Sequence, residues 1–242
     1  MSGGRNILLL GGTRDARALA TRLTAMGHRV TTSLAGRTLN PHVSDGAMRI
    51  GGFGGAAGLA AELRTHGYDY LIDATHPFAE TISANAVEAA KRTGIPLLRL
   101  ERPAWQPVAG DRWQEVASPK EAAAHLSEGA RALVTIGRQE IAPFLLRTDI
   151  FCLLRMIEQP SLQLPPHAEL LLARPPFSLN SERALLRERR ISVLVTKNAG
   201  GTSTYAKLEA ARNLCLPVLL IARPALASAE TVSSIDELVM RL

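Results

Sequence analysis

Residues 68–100 read YDYLIDATHPFAETISANAVEAAKRTGIPLLRL. An apolar run ends on the polar turn Thr75-His76-Pro77. Helical spacing follows from 79 to 93, Gly94 stops it, and a second apolar run occupies 95–100. Both runs are apolar at successive positions, as strands buried on two faces are. A strand, a helix and a strand in this order form a crossover unit of a parallel sheet. The polar turn lies at the C-terminal end of its strand. In open parallel sheets that edge is where ligands bind.

The same rhythm extends outward. Strands are predicted at 7–10, 29–34 and 48–52, and helices at 14–26 and 56–66 that stop at Gly27 and Gly67. The stretch 101–116, ERPAWQPVAGDRWQEV, breaks the pattern and reads as a connector. Ser118-Pro119-Lys120-Glu121 then reads as a capping box with proline at the first helical position. Strands are expected at 132–136, 150–156, 170–173, 191–196 and 217–221. Helices are expected near 139–146 and at 181–189, 204–213 and 235–242. Residues 75–105 match 196–226 without a gap. Thr75 meets Thr196, Glu88-Ala89-Ala90-Lys91 meets Glu209-Ala210-Ala211-Arg212, and Arg102-Pro103-Ala104 meets Arg223-Pro224-Ala225. The expectation is an α/β fold of two similar Rossmann-like lobes, with mainly parallel sheets and a cleft between them. Residues 1–102 form the first lobe, 103–117 the connector and 118–242 the second lobe.

Composition narrows the function. The seven-residue apolar run at 216–222 is far short of a spanning helix, and the N-terminal stretch lacks the long apolar region of a signal peptide. A cytoplasmic protein is expected, with no membrane partner. Cys152 and Cys215 sit in apolar runs and read as reduced, buried thiols. The histidines have no metal-ligand spacing, so no metal is expected. Arginine outnumbers lysine 24 to 4 and the net charge is +6, which suits an anionic small molecule. The arginines are dispersed and aromatics scarce, so nucleic acid is not expected. Oligomeric state is open, a monomer being one reading.

Gly11-Gly12-Thr13-Arg14-Asp15 joins the first strand directly to a helix. Bare glycines and a helix N-terminus admit a phosphate, although a tight turn alone would also need them, and the spacing is not that of the dinucleotide fingerprint. The next strand, 30–34, ends without the acid that holds an NAD ribose. Ser33 and Arg37 stand there instead, a hydroxyl and a cation suited to the 2′-phosphate of NADPH. Gly51-Gly52-Phe53-Gly54-Gly55 follows the third strand and reads as close approach of a flat or charged group, or as a loose loop.

LLLGGTRDARALA (8–20), SLAGRT (33–38), IGGFGG (50–55), DATHPFA (73–79) with SANA (83–86), PLLRLERPAW (96–105), TIGRQE (135–140) and TKNAGGTSTYAKLEAA (196–211) together resemble the precorrin-6x reductase family of the cobalamin pathway. Ala199 stands where that family often has serine. The resemblance implies two Rossmann-like lobes with the active site between them. It also implies NADPH-dependent reduction of the precorrin-6A macrocycle, a tetrapyrrole bearing many carboxylates, to precorrin-6B.

On that reading Gly11, Gly12, Thr13 and Arg14 receive the pyrophosphate, and Ser33, Gly36 and Arg37 the 2′-phosphate. Gly52 and Gly54 approach the cofactor, and Asp73, Thr75, His76 and Pro77 close the site at the nicotinamide. His76 is the candidate proton donor. Lys197, a lysine in an arginine-rich chain, is the second candidate catalytic group, as a compact cation at close range. Arg138, Asn198, Gly200, Gly201 and Tyr205 are assigned to the substrate, with Arg138 suited to a carboxylate. Lys207 is expected to face solvent. Two other readings stay open: an NADPH-dependent reductase of another acidic substrate, and a dinucleotide-sensing module without catalysis.

Overall fold

The computed structural model describes residues 4–36 and 45–242. Two compact units emerge. The first comprises residues 1–103 and 224–242, the second residues 104–223.

The first unit contains β1 (Asn6–Leu10), α1 (Arg14–Ala25), β2 (Arg29–Leu34), β3 (Ala47–Ile50), α2 (Ala56–Thr65), β4 (Tyr70–Asp73), α3 (Glu80–Thr93) and β5 (Leu97–Leu100). The second contains β6 (Trp113–Val116), α4 (Pro119–Ala124), β7 (Arg131–Thr135), α5 (Ala142–Leu145), β8 (Phe151–Met156), β9 (Ala168–Leu172), α6 (Leu179–Glu188), β10 (Val193–Lys197), α7 (Ala206–Asn213) and β11 (Val218–Ile221). The chain then returns to the first unit with β12 (Glu230–Val232) and α8 (Ile235–Met240). Among the described residues each sheet has six strands, ordered β12-β5-β4-β1-β2-β3 and β6-β11-β10-β7-β8-β9, and every pairing is parallel. The first has the strand order of a doubly wound dinucleotide fold, and the second keeps it for β7 to β11 while β6, which precedes them in the chain, takes the sixth place.

The order of the outer strands corrects the expected boundaries. Residues 118–242 are not one lobe, because β12 pairs with β5 and α8 packs on the first sheet's core. The connector is not wholly irregular either, since β6 pairs with β11. These edge strands, β6 and β12, span only four and three residues and bury one residue each, so they carry no apolar signature. The helices after them start alike. Ser118 caps Glu121 N while Glu121 reaches back to Ala117 N, and Ser234 caps Glu237 N while Glu237 reaches back to Ser233 N.

Strand β1 shows why the apolar runs are continuous. Ile7 and Leu9 pack with Leu19 and Leu23 of α1 and Leu238 of α8. Leu8 and Leu10 pack on the opposite face with Leu59 and Leu63 of α2 and Ala86 and Ala89 of α3. Each such leucine contributes roughly 1.5–3 kcal/mol of burial free energy. The second unit repeats this with α6 and α7 over Leu133, Leu153 and Leu194, where Trp105 joins the core. Cys152 is buried as expected. Cys215 is exposed instead, in a left-handed turn (φ 53) that closes α7.

Candidate functional site

The C-terminal ends of β1, β2, β3 and β4 carry the first unit's candidate residues. Gly11 donates its N–H to Ser33 O at 2.9 Å, and a Cβ there would come 2.9 Å from Thr32 Cγ2. Gly12 adopts φ 107 with open space beside it. Thr13 caps α1: its hydroxyl accepts from Ala16 N at 3.0 Å and donates to Ala74 O at 2.9 Å. Thr13 therefore ties the first turn to the end of β4, while the exposed Arg14 opens the helix. Gly51, Gly54 and Gly55 all have positive φ, and nothing lies within 4 Å of where a Cβ would stand on them or on Gly52. Gly36 also has positive φ and lies against Ile50. Arg37 lies outside the described residues.

A residue absent from the sequence-based assignment joins this edge. Arg49, on β3, donates from Nη1 to Ser33 Oγ at 2.9 Å and to Gly51 O at 3.1 Å. Its guanidinium lies 3.8 Å from the centroid of the Phe53 ring. The cation is thus held over the Phe53 ring beside the hydroxyl at the end of β2, with Nε 3.9 Å from Glu62 Oε1. The readable signal was a basic residue just before a glycine cluster, in the strand next to Ser33.

The turn after β4 is held from beneath. Asp73, 2% exposed, accepts from Thr75 Oγ1 at 2.6 Å, Thr75 N at 3.2 Å and Arg99 Nε at 3.3 Å. Its carboxylate is occupied within the protein, so it shapes the turn rather than reaching out of it. Arg99 is also buried. Nη1 donates to Ala227 O at 2.8 Å, and Nη2 has no hydrogen-bond partner among the described residues. A cavity of about 10 Å³, room for one water, lies among Asp73, Thr75, His76, Ser83 and Arg99. Pro77 is buried and His76 exposed. His76 Nδ1 accepts from Phe78 N–H at 3.2 Å, which places the imidazole proton on Nε2.

In the second unit the residues assigned to the substrate fall into two groups. Asn198 is turned inward: Oδ1 accepts from Trp105 N at 2.8 Å and Nδ2 donates to Trp105 O at 3.2 Å. The indole of Trp105 donates to Gly201 O at 2.7 Å. Asn198, Gly200 and Gly201 therefore brace the segment around Trp105, with both glycines in the left-handed region. The Tyr205 ring lies tilted by 57° with its centroid 6.1 Å from that of Trp105, and its hydroxyl accepts from Arg212 Nη2 at 3.1 Å. A cavity of about 460 Å³ opens beside this brace, lined in part by Trp105, Trp113, Asn198 and Arg223. The other group is ionic. Lys197 is paired with Glu140, and Arg138 lies 3.8 Å from Glu158. Lys207 does not face solvent. It is 5% exposed, with Nζ 5.3 Å from the centroid of the Trp105 ring. Burial, reinforced by Arg155 and opposed by Glu182, pushes its pKa down to about 7. Arg155 itself is bound to Glu182 at 2.5 Å.

Residues 6–242 match the family model described as "Precorrin-6x reductase CbiJ/CobK". The chain belongs to the precorrin-6x reductase family. It is 51% identical over 232 residues to a precorrin-6A reductase of Rhodococcus erythropolis, covering 95% of this chain and 94% of that one. It is 32% identical to a cobalt-precorrin-6A reductase of Priestia megaterium, covering 98% and 97%. A solved structure titled "CobK precorrin-6A reductase" superposes with a TM-score of 0.94 at 42% identity, covering 98% of this chain and 96% of that one. The two Rossmann-like units are thus the fold of this reductase family.

The first unit's edge fits a nicotinamide dinucleotide. Open, Cβ-free positions at Gly12, Gly51, Gly52, Gly54 and Gly55 flank a helix N-terminus, and the donors at the end of β2 are the Ser33 hydroxyl and the Arg49 guanidinium, the latter 3.9 Å from Glu62. Among the described residues no cluster of His, Cys, Asp or Glu could hold a metal ion, and no helix is long and apolar enough to cross a membrane.

Proposed function

We propose that this protein reduces precorrin-6A to precorrin-6B with NADPH. The substrate is the one named for relatives that match nearly the whole chain. Identity is higher to those than to the cobalt-precorrin enzymes, 51% against 32%, which favours the cobalt-free macrocycle.

The observation that carries the NADPH reading is the bond from Arg49 to Ser33 at the end of β2. An NAD-binding protein places a carboxylate there for the ribose hydroxyls. A hydroxyl beside a guanidinium recognises a phosphate instead. Gly11, Gly12 and the N-terminus of α1 receive the pyrophosphate, and Thr13 holds that turn against β4. When bound, the nicotinamide supplies a hydride. The turn Thr75-His76-Pro77, fixed by Asp73 and Arg99, orients the groups that meet it. His76, exposed at the end of β4, is the candidate source of the proton the product needs.

The test is calorimetric titration with NADPH and with NADH, followed by turnover of precorrin-6A. Binding of NADPH well below the Kd for NADH, with precorrin-6A-dependent oxidation, is the expected result. Equal affinity for both cofactors, or no turnover, overturns the reading.

A further inference from the structure

Arg49 and Ser33 are register partners on β3 and β2, so the parallel ladder places them side by side. The ladder does not fix the guanidinium. Arginine has many rotamers, and β3 exposes three of its four residues. The loop that follows does the fixing. Gly51 O and Gly52 O accept from Nη1 and Nη2 at 3.1 and 3.4 Å, and the guanidinium carbon lies over the Phe53 ring, 3.8 Å from its centroid. Glu62 Oε1, 3.9 Å from Nε, is too far to hydrogen-bond.

Phe53 is itself held at two points. It is half-buried and packs on the cluster that contains Leu8, Leu10, Leu59 and Leu63. Its carbonyl lies against α2 at Gly58, where a Cβ would come 1.7 Å from Phe53 O and 2.8 Å from the carbonyl carbon. That contact is with backbone, so the loop would have to move to admit a side chain. Glycine is a poor helix former, and this close approach explains its place within α2. A chain of contacts thus runs from α2 through Phe53 and Arg49 to the hydroxyl at the end of β2.

We propose that Phe53 is a positioning residue for NADPH selectivity: seated on α2, its ring keeps the Arg49 guanidinium at Ser33, where the two meet the 2′-phosphate. This role rests on the NADPH reading and adds a residue that acts through Arg49. The face of an aromatic ring is negative, so it holds a cation that an aliphatic side chain only packs against. A guanidinium held before binding loses less freedom when the phosphate arrives, and the difference appears as affinity for NADPH. NADH carries no 2′-phosphate and is indifferent to it.

The experiment measures Kd for NADPH and for NADH by calorimetry in wild type, Phe53→Leu and Phe53→Tyr. Phe53→Leu keeps an apolar side chain and removes the ring. It should raise the NADPH Kd about threefold to thirtyfold, the size of a cation–π contribution, and leave NADH within about twofold. Phe53→Tyr keeps a ring and should stay near wild type. In an Arg49→Gln background, Phe53→Leu should weaken NADPH no further, because the cation it positions is gone. Affinity for NADH reports an intact fold in every variant. Selectivity that survives Phe53→Leu overturns the positioning role alone. So does an equal loss for both cofactors, a Phe53→Tyr protein as weak as Phe53→Leu, or an additive loss with Arg49→Gln. A wild type without preference for NADPH overturns the NADPH reading and this role with it.

Discussion

Replacing Asp73 with asparagine tests the turn at its base. The substitution keeps shape and removes one charge. Oδ1 can still accept from Thr75, but the amide presents N–H to Arg99 Nε where a carboxylate oxygen stood at 3.3 Å. Arg99 is 4% exposed, and among the described residues it keeps only the bond to Ala227 O and already has an unmatched Nη2. A buried guanidinium without its counter-charge costs about 3–5 kcal/mol. For a chain of this length each kcal/mol moves Tm by roughly 2–4 °C, so Asp73→Asn should melt about 6–20 °C below wild type. Scanning calorimetry measures it. Asp73→Asn combined with Arg99→Met should be less destabilised than the sum of the two single variants, because the stranded charge is gone. An Asp73→Asn protein that melts within about 2 °C of wild type would refute the argument that this pair holds the turn.

Arg49→Gln should weaken NADPH about ten- to a hundredfold and leave NADH within about twofold, as loss of a charge-assisted bond implies; an equal loss for both in calorimetry removes Arg49 from phosphate recognition. Lys207 should make stability depend on pH. Its pKa in the fold is about 7 against an ordinary 10.5. Between those values the unfolded chain binds the extra proton, so this contribution to stability rises with pH through that window, and the full penalty applies below it. Lys207→Met should flatten the rise of Tm between pH 7 and pH 10.5, and an unaltered slope would show that Lys207 does not titrate there. His76→Ala should lower kcat with NADPH affinity nearly intact; turnover undiminished across pH would exclude it as the proton donor.

The central strands were legible because they are buried on both faces. The match of 75–105 to 196–226 even aligns β5 with β11 residue for residue, Leu97–Leu100 onto Val218–Ile221. β6 and β12 were not legible, since short edge strands are specified by their neighbours' ladders rather than by a pattern of their own. The same divide runs through the site. The glycine turns declare themselves by composition. Asn198 and Asp73 are polar residues at strand ends that proved to bond inward, to Trp105 and Arg99, and no local rule separates that use from ligand contact. Lys207 lies beside Trp105 although the two are about a hundred residues apart, so only the fold reveals its burial. Arg49 owes its place to a partner, Ser33, on the neighbouring strand.

The return of residues 224–242 to the first sheet also sets an order of assembly on the ribosome. The second unit is one continuous stretch, 104–223, and can close as soon as its last strand leaves the exit tunnel. The first unit, although most of it is made earlier, keeps the β5 edge and the face awaiting α8 open until 224–242 are synthesised. Vectorial synthesis therefore leaves a nascent chain whose older half is the last to be sealed. That half spends the interval with an unpaired strand exposed to other chains.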